Sequence, residues 1–170
     1  MEAEQRREEI LMLLTNSAEP IVARALAEQF NVSRQVIVGD IALLRAAGQD
    51  IYSTPKGYMM RKAAAPGVTT QLVCVHSREE TREELYTIVD TGCEVLDVIV
   101  EHPLYGMIRG DLNISSRLEA DDFIERLNET DTSLLSTLTH GIHTHTIRAK
   151  DETTRDTLIA KLKEKGFIYE

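Results

Sequence analysis

The sequence lacks several features that would have settled its class at once. No apolar run approaches the roughly 18 residues of a membrane-crossing helix, so no spanning segment is expected. The opening stretch MEAEQRREEI is charged and acidic, unlike a secretory signal. There are only two cysteines, Cys74 and Cys93. Both are expected to be reduced thiols in a cytoplasmic protein. No internal repeat, no low-complexity tract and no nucleophile paired with a base is visible, so no enzyme is expected. Positive charge is also scarce: 19 Lys+Arg against 28 Asp+Glu give a net −9. Taken alone, that balance argues against a nucleic-acid partner.

What is present is unevenly spread. Residues 1 to 62 hold 8 basic and 8 acidic side chains, while residues 63 to 170 hold 11 and 20. The first part is neutral and the second carries the whole deficit, which points to two parts with different jobs. Between them lies RKAAAPGVTT, whose small residues and Pro66-Gly67 read as a linker over residues 63–69. The expected domains are therefore residues 1–62 and 70–170, in an α+β chain.

The first domain reads as three helices and a hairpin. Ile10, Leu11, Leu13 and Leu14 mark one face of an amphipathic helix. Val22, Leu26, Ala27 and Phe30 mark the inward side of a second. Ser33 is placed to cap a third, in which Ile37, Ile41 and Leu44 form a stripe that ends at Gly48. Two short strands around Thr54-Pro55-Lys56-Gly57 complete a winged helix-turn-helix. In that fold the start of the third helix enters the major groove. Ser33, Arg34 and Gln35 lead it, and Val38 and Arg45 continue its outward stripe. Arg suits guanine edges and Gln adenine edges. Arg45, Lys56 and Arg61 are candidates for phosphate contacts. Gly39 inside this helix costs about 1 kcal/mol relative to Ala. Either it permits close approach to DNA or it is simply tolerated.

The second domain alternates as β-α-β-β-α-β-α, an open-faced sandwich with its helices on one side of an antiparallel sheet. Its chemistry is concentrated in GIHTHTIRA. On a strand, His143 and His145 project from the same face. Imidazole is the commonest metal ligand. His76 ends the first strand, and Glu80, Glu83 and Glu84 follow it. If the first and last strands are neighbours, three histidines and one of these glutamates converge into a site for Zn, Ni or Fe(II). Which glutamate is left open by spacing. Cys74 shares the parity of His76 but reads as core, His140 as a surface turn residue, and His102 as a residue that orders its own turn.

These stretches together resemble a known family. NVSRQVIV, DIALLRA, GYMM, DVIVEHPLYG and GIHTHTI are similar to the niacin-responsive transcriptional repressors of bacteria, which join a winged helix to a 3H domain. The resemblance covers nearly the whole chain. It implies a phosphocarrier-like C-terminal fold and metal ligands at His76, Glu84, His143 and His145. It implies one divalent transition metal per subunit (Ni, Zn or Fe) and a homodimer on operator DNA. It also implies nicotinic acid as co-repressor, acting on genes of NAD precursor uptake, salvage and biosynthesis. The effector is expected beside the metal, with Arg109, Arg148 or backbone amides holding its far end. The chain departs from the family pattern at Gly39, where a polar residue is expected. The competing reading is a regulator that senses the metal itself and has no organic co-repressor.

Overall fold

The computed structural model describes residues 1–62, 66–130 and 133–170. Two compact units are present, Met1–Ala64 and Ala65–Glu170. No described helix is long and apolar enough to cross a membrane.

The first unit holds α1 (Ala3–Asn16), α2 (Ala23–Phe30), α3 (Arg34–Ala46) and a hairpin of β1 (Ile51–Thr54) and β2 (Gly57–Met60). Ile10 and Leu14, one turn apart on α1, pack with Leu26, Ile37, Ile41, Leu44 and Ile51. Leu11, Leu13 and Phe30 lie partly buried at the edge of this core. Val22 does not point inward as expected: it occupies the extended position before α2 and is 38% exposed, and Ala23 is buried in its place. Asn31 closes α2 in the left-handed conformation. Ser33 Oγ then accepts from Val36 N at 3.3 Å, which starts α3 as the sequence predicted.

Asp40 is buried on α3 and meets Arg6 Nε of α1 at 2.7 Å, an ion pair that ties the two helices. In the wing, the backbones of Ile21 and Tyr58 exchange two hydrogen bonds, of 3.0 and 2.9 Å. This close approach needs Gly57, where φ is +130° and an added Cβ would lie 2.5 Å from the Ile21 backbone. At Gly39 an added Cβ would meet nothing within 4 Å. Gly39→Ala is therefore expected to stabilise this unit by about 1 kcal/mol, read as a higher denaturation midpoint.

The second unit runs β3 (Val68–Val75), α4 (Thr81–Asp90), β4 (Glu94–His102), β5 (Gly106–Ile114), α5 (Arg117–Glu129), β6 (Ile142–Ala149) and α6 (Glu152–Glu164). The sheet order is β3-β6-β4-β5 and every neighbouring pair is antiparallel. The first and last strands of the unit are thus neighbours. One sheet face, with Leu72, Val95, Leu112, Ile114 and Ile147, packs against Leu85 and Ile88 of α4, Ile124 of α5, and Leu158 and Leu162 of α6.

The expected linker runs too far: Val68 and Thr69 are already paired with Ala149 and Arg148 of β6. Its residues 63–65 lie outside the described residues. The terminal FIY does more than end the chain. Val75 N donates to Phe167 O and Tyr169 N to Val73 O, so this tail covers the free edge of β3.

Candidate metal centre and DNA-binding face

β6 puts His143 and His145 on the helix-packed face, alternating with half-buried threonines. β3 runs beside it, with Cys74 opposite His143 and Leu72 opposite His145. Two residues beyond Cys74, His76 keeps the same parity at the end of the strand. The chain then turns through a capping box. Glu80 Oε2 accepts from Ser77 N at 2.8 Å, so Glu80 is committed to starting the helix. Glu83 is exposed and pairs with Lys165 at 2.8 Å. Glu84 alone of the three falls on the buried stripe of α4, with Thr81, Leu85 and Ile88.

Glu84 is 1% exposed and three imidazoles surround its carboxylate. His145 Nε2 lies 2.5 Å from Oε1, and His143 Nε2 lies 3.1 Å from Oε2. His76 Nε2 also contacts Oε2. The opposite ring nitrogens are all tied to backbone carbonyls: His76 Nδ1 to Ser77 O at 2.7 Å, His143 Nδ1 to Gly141 O at 2.8 Å, and His145 Nδ1 to Asp97 O at 2.7 Å. A carbonyl only accepts, so each Nδ1 carries the proton. In neutral rings the three Nε2 lone pairs then face a carboxylate that also only accepts. Such a group is stable only around added positive charge.

Without metal, that charge is protons. Burial pushes the Glu84 carboxyl up, but His145, His143 and His76 together hold it well below the usual carboxylate range. Burial pushes His76 and His145 down, and the Glu84 charge more than offsets it, leaving both raised. Among the described residues, two buried side-chain polar atoms make no ordinary hydrogen bond, His76 Nε2 and Thr81 Oγ1. Thr81 stands one turn before Glu84. Four donors converge here, and each histidine is oriented by a carbonyl, as metal-binding histidines are. The residues present fit a divalent transition metal.

Reading the sequence alone missed the supports. Asp97 is 3% exposed: its carbonyl orients His145, and its carboxylate accepts from Thr146 N at 2.9 Å and Arg109 Nε at 2.8 Å. A lone acid inside the apolar run EVLDVIV was the available signal. Gly141, at φ +89°, brings its turn against His76, where an added Cβ would lie 2.6 Å from His76 O.

Neither arginine considered for the effector faces the histidines. Arg148 pairs with Glu94, and its odd spacing from His145 puts it on the other sheet face. Arg109 lies opposite Ile99, which in turn lies opposite Thr144, also on that other face. His102 Nδ1 accepts from Leu104 N and Tyr105 N, so it orders its turn as expected. His140 sits at the surface turn in the left-handed conformation.

In the first unit, Ser33, Arg34, Gln35 and Val38 are exposed along the leading face of α3. Lys56 sits at the tip of the wing. Arg45 has a task beyond the expected phosphate contact. It donates to Ile51 O at 2.8 Å and to Ser53 Oγ at 3.1 Å, fastening the wing to α3. Arg61 pairs with Asp50 at 3.1 Å and stacks over Tyr52. Arg45→Ala is expected to lower stability by roughly 1 kcal/mol through lost hydrogen bonds, and to weaken DNA binding by misplacing the wing. Denaturation and DNA titration of the same variant measure both effects.

Comparison with known proteins agrees with this division. A 3H domain matches residues 69–170 and an HTH domain matches residues 6–59. Over 167 residues the chain is 43% identical to a Thermotoga maritima protein named "Probable transcription repressor NiaR", covering 98% of this chain and 95% of that one. Over 166 residues it is 41% identical to the Bacillus subtilis "Transcription repressor NadR", covering 96% and 92%.

Proposed function

This chain belongs to the family of transcription repressors that join an N-terminal HTH domain to a C-terminal 3H domain, and from that premise we propose that nicotinic acid, acting at the metal centre, gates its hold on operator DNA. It is a DNA-binding regulator, not an enzyme. The observation that carries the reading is the convergence of three carbonyl-oriented imidazoles on one buried carboxylate.

In this reading His76, Glu84, His143 and His145 hold one divalent transition metal per subunit: Ni, Zn or Fe. When bound, the ion supplies an electrophilic centre that a pyridine nitrogen or a carboxylate can occupy. The chain's own residues do the rest. Ser77, Asp97 and Gly141 fix the rings through their carbonyls. Ser33, Arg34, Gln35 and Val38 meet base edges, and Arg45 and Lys56 meet phosphates. A homodimer presents two such faces to successive major grooves, about 34 Å apart. Nicotinic acid shifts the balance only if it binds the DNA-competent state more tightly. The regulated genes are those of NAD precursor uptake, salvage and biosynthesis.

The test uses a DNA site selected from a random pool by metal-loaded protein with nicotinic acid present. Omitting nicotinic acid is expected to weaken binding by about 5- to 150-fold, the usual range of allosteric coupling. Unchanged affinity rejects the proposal. One observation favours a second reading, in which the metal alone is the signal. No ligand residue is more than 9% exposed, so the site is closed to an organic ring in this conformation. On that reading, metal titration alone accounts for the whole change in DNA affinity.

A further inference from the structure

We propose that Cys74 is a fifth donor to the metal held by His76, Glu84, His143 and His145, and that it biases the centre toward thiophilic ions. This rests on the metal reading above. Cys74 lies directly across from His143 in the β3–β6 ladder and shares its face with His76. It is 1% exposed. Its Sγ, a Glu84 carboxylate oxygen and a His143 ring nitrogen all lie within 4.8 Å of one another. These three donors are close enough together for one ion to take all of them as ligands. The thiol's polar contact is weak, to Leu72 O at 3.8 Å. The buried His76 Nε2 meets only the Glu84 carboxylate, which His143 and His145 already share.

Charge supplies an independent argument. A divalent ion with three neutral imidazoles and one carboxylate leaves a net +1 in a buried site. Isolated buried charge is costly. A thiolate from Cys74 brings the centre to neutrality. On coordination the S–H proton leaves to solvent and a metal–sulfur bond forms, with no electron transfer. Soft thiolate ligation disfavours Mn and Mg relative to Zn, Co and Ni. Cys93 differs: it is buried just before β4 and joins no such donor cluster among the described residues.

The experiment loads the chelator-stripped full chain with Co(II) and records its absorption spectrum. Wild type is expected to show visible d–d bands and a near-ultraviolet sulfur-to-cobalt charge-transfer band. Cys74→Ser and Cys74→Ala keep the d–d bands and lose the charge-transfer band, while Cys93→Ser keeps both. If wild type shows d–d bands without charge transfer, or if Cys74→Ala leaves the charge-transfer band intact, Cys74 is not a ligand. If wild type shows no d–d bands at all, the metal reading itself fails and this proposal goes with it.

Discussion

In metal-stripped protein, Glu84→Gln is expected to reverse the direction in which stability depends on pH. In the wild type, His76 and His145 have folded pKa values raised above their ordinary value of about 6.5. The stability they contribute is fully present below about pH 6.5 and is lost as pH rises through the raised folded values. Glu84 is depressed, so its contribution is present above about pH 4.3 and is lost only as pH falls through its much lower folded value. Above about pH 6.5 the stripped wild type therefore loses stability as pH rises through those folded values.

The amide introduced by Glu84→Gln keeps the volume but removes the charge that raises the imidazoles. Burial then acts alone and pushes them down. The variant should lose stability as pH falls through about 6.5, the opposite trend. At mildly acidic pH the substitution should cost about 3–5 kcal/mol, because protonated imidazoles lose their buried counter-charge. Urea denaturation of both stripped proteins, near pH 5 and near pH 9, measures the effect. Parallel trends in the two proteins would mean that Glu84 does not control the histidines.

The second large effect is the response to metal. At 100 times its dissociation constant, a ligand that binds only the folded state adds about 2.7 kcal/mol. In a unit of about 100 residues each kcal/mol moves the melting point by about 4–8 °C. Zn or Ni should therefore raise the melting point of the C-terminal unit by about 10–20 °C. The N-terminal unit has a separate core, and its transition should stay in place. The gain should grow with pH, because ligation needs deprotonated imidazoles. Metal thus reverses the pH trend of the stripped wild type. His143→Ala should abolish the shift, and calorimetric melting with and without metal, at two pH values, reads each of these results.

Most of this architecture was legible in the sequence because period and parity are simple rules. His143 and His145 share a face because strands repeat every two residues. The same rule, applied to Arg148, would have excluded it from the histidine face. The choice of Glu84 over its neighbours was not made from spacing. Ser77-Arg78-Glu79-Glu80 is a capping box, and reading it as one removes Glu80 and sets the register that buries Glu84. Asp97 was hidden for a different reason. Its carbonyl serves His145 across β4 and β6, where the register shifts between Val95 and Ile99. A bulge of that kind depends on tertiary packing and leaves little trace in a single sequence. Val22 shows the limit of periodicity at helix ends, where one extended residue turns a side chain outward. The double use of Arg45 follows from a return of the chain that only the folded hairpin displays.

In the proposed function one centre, built by His76, Glu84, His143 and His145, holds both metal and effector. The most direct test is calorimetric titration of nicotinic acid into metal-loaded and stripped protein, with nicotinamide as control. Binding is predicted only in the metal-loaded protein and is lost in His145→Ala. Equal binding in stripped protein, or none in metal-loaded protein, contradicts the account.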